Sequence, residues 1–69
     1  MSLMTMLGKQ VQGPKGPVRV VAMYASLPPE WRARAGWDDR YAEVVDLAGQ
    51  RWKAIVSDDR ARLLESMPS

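Results

Sequence analysis

Apolar and polar positions along the chain fall into blocks separated by strong breakers. Val18-Arg19-Val20-Val21-Ala22-Met23-Tyr24 is β-branched and aromatic and is bounded by turn residues, which predicts a strand. Just before it, Gly13-Pro14-Lys15-Gly16-Pro17 places two glycines and two prolines in five residues, a pattern that breaks regular structure and turns the chain. Leu7 to Gln12 then supplies a short partner strand, and a hairpin through the Gly/Pro segment is the simplest pairing.

Ser26-Leu27-Pro28-Pro29-Glu30-Trp31 has the residues of a helix start. Serine caps, proline suits the first turn, and glutamate meets the positive end of the dipole. Gly36 stops the helix, so a short helix is expected over Pro29 to Ala35.

Asp38 to Val56 supports two readings, and the choice decides the fold. As a helix, Tyr41, Val44, Val45, Ala48, Trp52, Ile55 and Val56 recur at offsets of three and four and form one apolar stripe. As a hairpin, Tyr41 to Leu47 and Arg51 to Val56 are strands around Ala48-Gly49-Gln50. The second strand then alternates well, and the first alternates poorly because Val44 and Val45 point to opposite faces. The helix is the favoured reading, although Gly49 in its middle costs about 1 kcal/mol. Ser57-Asp58-Asp59 next looks like a capped helix start, with Leu63, Leu64 and Met67 as its apolar stripe and Pro68 as its end. The expected fold is therefore α+β: an N-terminal β-hairpin or strand packed on two or three short helices. The alternative is a mostly-β small barrel with a second hairpin at Tyr41 to Val56 and one C-terminal helix.

Composition narrows the chemistry. A chain of 69 residues makes one small domain, and a core of this size stabilises only marginally. Residues 1–8 are set apart as a lead-in that need not be ordered. Cysteine and histidine are both absent, so disulfides and thiolate zinc sites are out and the usual base of an acyl-transfer triad is missing. No glycine-rich phosphate loop is present. Neither a membrane-length apolar run nor a signal-peptide pattern appears, and a cytoplasmic setting is the default expectation. The expectation is a non-enzyme without cofactor, metal or evident small-molecule substrate.

Charge and aromatics locate the candidate surface. Residues 1–37 carry five basic residues and one acid, and residues 38–69 carry five basic residues and seven acids, which together give the net charge of +2. Asp38-Asp39 and Asp58-Asp59 are read as first-turn acids that compensate helix dipoles rather than as metal ligands. Of three tryptophans, Trp52 belongs to the core, while Trp31 and Trp37 serve core and interface equally well. Lys9, Lys15 and Arg19 line the hairpin, where they guard an exposed edge or face phosphates. With Arg32 and Arg34 beside Trp31, the candidate interaction residues are Lys9, Lys15, Arg19, Trp31, Arg32, Arg34 and Trp37. The expected function is a protein-binding or assembly module, self-association included. The alternative is a nucleic-acid-binding module built on the same basic residues.

Overall fold

A computed structural model describes residues 7–33, 36 and 38–68. Five strands run in chain order: β1 (Gln10–Gly13), β2 (Gly16–Met23), β3 (Arg40–Val45), β4 (Arg51–Ser57) and β5 (Arg60–Ser66). A single helical turn, α1 (Pro29–Arg32), lies between β2 and β3. The strands form a closed meander barrel in which each pairs antiparallel with the next, and β5 meets β1 in parallel. Strand makes up 54% of the described residues and helix 7%, so the α+β expectation is overturned.

Each local reversal of expectation has a physical cause. The Asp38 to Val56 segment is the β3–β4 hairpin, with six residue pairs from Arg40↔Val56 to Val45↔Arg51. Ala42, Val44, Ala54 and Val56 point inward and are fully buried. The outer face of the same strands is apolar too at one point: Ile55, flanked across the sheet by Tyr41 and Arg62, is also buried. Apolar residues on both faces erase the period of two and mimic a helical stripe. Gly49, at φ 85, sits in the turn and supplies the left-handed conformation that glycine adopts without a Cβ penalty.

The C-terminal helix is likewise replaced, by β5. Asp58 and Asp59 are the two residues of a tight turn between the paired ends Ser57 and Arg60. Asp58 takes φ 58, a region aspartate enters more readily than most residues. Asp38 and Asp39 open no helix either. Asp39 accepts the Gly36 amide at 2.8 Å, and Asp38 accepts the Ser57 hydroxyl at 3.1 Å. Of the helix predicted over Pro29 to Ala35, the structure shows one turn, Pro29–Arg32, begun at Pro28 with no side-chain cap and ended at Ala33; Arg34 and Ala35 lie outside the described residues. The N-terminal hairpin stands as expected, with its turn contracted to Pro14-Lys15 between the paired Gly13 and Gly16. The alternative reading therefore had the second hairpin right and the C-terminal helix wrong.

The core explains the choice of side chains. Val11, Val18, Val20, Ala42, Val44, Ala54 and Val56 fill the interior, with Met23, Trp52, Ala61 and Leu63 packed around them. A narrow barrel has room for valine and alanine and little else. Among the described residues no helix is long and apolar enough to cross a membrane.

Candidate interaction surface

The barrel closes through one pair of residues. β1 meets β5 at Gln12↔Arg60, reinforced by the Gln12 amide donating to the Asp59 carbonyl at 2.7 Å. Beyond that point β1 turns away at Pro14, while β5 continues to Ser66. β5 is held along its length by β4 on one side, from Ser57↔Arg60 to Trp52↔Ser66. Its far end is tied down by the Met67 amide on the Arg51 carbonyl (2.9 Å) and by the Gln50 side-chain amide on the Met67 carbonyl (2.8 Å). On its other side, residues 61–66 have no strand partner among the described residues. Successive backbone groups of a strand point to opposite sides, so about half of those on this stretch face away from β4.

A groove follows this open edge. The β1–β2 turn contributes Gly13 and Pro14, α1 contributes Trp31, and the edge itself contributes Arg60, Arg62 and Leu64. Its volume is about 660 Å³, and it adjoins a second hollow lined by Trp31, Ile55 and Asp39. The Arg62 guanidinium lies 5.5 Å from the centre of the Trp31 ring, in cation–π range. Farther along the same strand, Glu65 faces Lys53 of β4 at 3.7 Å.

The residues expected from sequence do not converge on this place. Lys9 precedes β1 and donates to the Asp58 carbonyl at 3.3 Å. Lys15 follows β1 at the opposite end, on the hairpin tip. Arg19 is exposed on β2 between Gln10 and Val45. Arg32 is engaged with the Leu27 carbonyl at 3.2 Å. Trp31 alone of the described candidates reaches the groove; Arg34 and Trp37 lie outside the described residues. With β1 paired to β2 and joined to β5, the edge that Lys9 and Lys15 were expected to guard has moved to β5. Arg60, Arg62 and Glu65 are the residues that sequence reasoning missed. The signal for the two arginines was present in Arg60-Ala61-Arg62-Leu63, which alternates polar and apolar with a period of two; Leu64 breaks that alternation before Glu65.

Two polar clusters elsewhere serve the fold. Asp46 organises the β3–β4 turn: one carboxylate oxygen accepts the amides of Ala48 (3.0 Å) and Gln50 (2.9 Å), and the other accepts the Trp52 indole N–H at 3.1 Å. The Trp52 bond first, then the backbone amides, hold its carboxyl below the ordinary aspartate range. This settles Trp52 as a half-buried core residue with its polar handle satisfied. Tyr24 and Tyr41 stack with ring centres 4.5 Å apart, and burial together with the nearby Glu43 carboxylate pushes the Tyr24 phenol up. Among the described residues no group of three or more acidic side chains is placed to hold a metal ion.

The molecule is thus a small closed meander barrel with one strand edge left open beside an aromatic and basic groove. No protein-family model, no curated protein and no solved structure matches the chain.

Proposed function

We propose that this chain is a non-enzymatic protein-binding module, set in the cytoplasm, that takes an extended segment of its partner onto the free edge of β5. The observation that carries this reading is the imbalance of β5, which is paired with β4 to Ser66 on one side and with β1 only at Arg60 on the other. Strand addition satisfies exposed backbone groups and reads alternate side chains in adjacent pockets. The groove offers such surroundings: the half-buried Leu63 and Leu64, the Trp31 ring, and the guanidinium groups of Arg60 and Arg62. An extended segment with an acidic residue spaced to meet Arg62 fits this chemistry. The test is to pan a library of displayed linear peptides on the immobilised protein and map the tightest binder by amide chemical shifts. Shifts concentrated on Ala61–Ser66 support strand addition. Binders that shift β2 or β3 instead, or no binders at all, sink it.

A second reading, nucleic-acid binding, draws on one observation: Trp31 beside Arg60 and Arg62 pairs a stacking ring with phosphate-binding cations. It predicts oligonucleotide affinity that falls by orders of magnitude between ~50 mM and ~200 mM salt. The dispersal of Lys9, Lys15 and Arg19 around the barrel makes it the weaker of the two.

A further inference from the structure

We infer that the occupant of the β5 edge is the β5 edge of a second copy of this chain, joined antiparallel about a two-fold axis. This rests on the strand-addition reading and names its partner. The argument begins with a β-bulge. From Ser57↔Arg60 to Ala54↔Leu63 the β4–β5 register is regular, and it then shifts so that Lys53 faces Glu65 rather than Leu64. Ile55 and Lys53 are two apart on β4 and share the outer face of the barrel. Their partners Arg62 and Glu65 therefore share that face too, although they are three apart in sequence. Without the bulge they would lie on opposite faces.

That arrangement makes the edge self-complementary. In an antiparallel two-fold pair, the register that sets Arg62 opposite Glu65 of the second copy also sets Glu65 opposite its Arg62. Both contacts then fall on the outer face, and Ala61 stands opposite Ser66. Glu65 is available for this: its side chain is 69% exposed and its ion pair with Lys53 is long, at 3.7 Å. Arg62 is held at the edge by the Trp31 ring. Pairing would join two five-stranded barrels into one continuous β-structure and would cover the only long stretch of β5 that lacks a strand neighbour among the described residues.

Sedimentation equilibrium of the full chain between ~10 μM and ~1 mM tests this, a range that brackets the affinity expected of a small, partly polar interface. The expected result is a monomer–dimer equilibrium. Arg62→Glu and Glu65→Arg should each raise the dissociation constant about tenfold, because a two-fold interface contains every cross-strand charge contact twice. The double swap Arg62→Glu/Glu65→Arg should bring it back to near the starting value, with far-UV circular dichroism confirming that all three variants are folded. A chain that stays monomeric throughout overturns the inference, as does a dimer that the double swap fails to rescue. The strand-addition reading fails separately, if the selected peptides leave the β5 amides unshifted.

Discussion

The β3–β4 hairpin and the β1–β5 seam belong to the same barrel but are built to different standards. The first is registered through six residue pairs, with four fully buried side chains beneath it and a turn stitched by three hydrogen bonds to one carboxylate. The second rests, among the described residues, on one parallel pair at Gln12↔Arg60, one backbone hydrogen bond from Gln12 to Asp59 and an exposed bond from the Lys9 ammonium to the Asp58 carbonyl. Stability resides where the pairing is dense, and the proposed docking of another strand falls where it is sparse. A small barrel can leave one seam short because its core is held by the others.

Truncating each side in turn gives the largest contrast. Val44 is fully buried in the centre of β3. Val44→Ala should cost roughly 2 kcal/mol, at the low end of the range for a buried leucine, since fewer carbons are removed. Val44→Asp should leave no folded protein, because it buries an unpaired charge. Gln12→Ala at the seam should change stability by less than about 0.5 kcal/mol, as exposed positions usually do. Urea denaturation of the two alanine variants checks the ranking; equal losses would erase the distinction between hairpin and seam.

Hydrogen exchange sharpens the same contrast without mutation. Amides along β3 and β4 should exchange only through global unfolding, while the outward-facing amides of Ala61–Ser66 should exchange through local opening. Protection of those β5 amides should rise with protein concentration if the edge is covered by a second copy. Uniform, concentration-independent protection across all five strands would contradict both statements.

The uneven legibility of the sequence follows from the same construction. The N-terminal hairpin was readable because Val18 to Met23 is β-branched and the Gly/Pro turn is unambiguous. The β3–β4 hairpin reads as a helix because the described part of the β2–β3 connection, carrying Trp31, lies beside Ile55 and Tyr41 on the outer sheet face. Ile55 and Tyr41 are therefore apolar on the side that alternation expects to be polar. β5 was misread because Ser57-Asp58-Asp59 suits a helix start as well as it suits a two-residue hairpin turn; the difference lies in the positive φ of Asp58, which no local pattern announces. The candidate interaction surface suffered in consequence. Its edge exists only once β5 is a strand, and the shared face of Arg62 and Glu65 exists only once β5 carries a bulge.

Asp58 offers a milder test at the turn that launches the open edge. Its left-handed backbone should be relieved by Asp58→Gly, since glycine occupies that region without the Cβ clash. The bond it accepts from the Lys9 ammonium is made by the backbone carbonyl and survives the change. The variant should be neutral or up to ~1 kcal/mol more stable, the gain partly offset by the greater freedom of glycine in the unfolded chain. Asp58→Val should be destabilised by a similar amount or more, because a β-branched residue resists positive φ. Thermal melts of the pair decide it; a glycine variant clearly less stable than the parent would mean that the aspartate side chain itself holds the turn.

The smallest expected effect concerns pH and belongs to the well-built side of the molecule. Asp46 accepts three hydrogen bonds in its ionised form, and these depress its folded pKa below the ordinary value of 3.8. A carboxyl depressed on folding adds stability that is complete above its unfolded pKa and is lost as pH falls through the folded one. Asp46→Asn keeps a carbonyl oxygen for the turn amides but presents an N–H to the Trp52 indole in place of an acceptor. The melting temperatures of parent and variant should therefore differ by a constant amount from neutral pH down to about 5 and converge below the ordinary aspartate value. Calorimetric melts taken from pH ~7 to ~2 measure the gap. Parallel curves over that range would show that the carboxylate charge does nothing for the turn, and the strength of the β3–β4 side would then rest on its pairing and its buried valines.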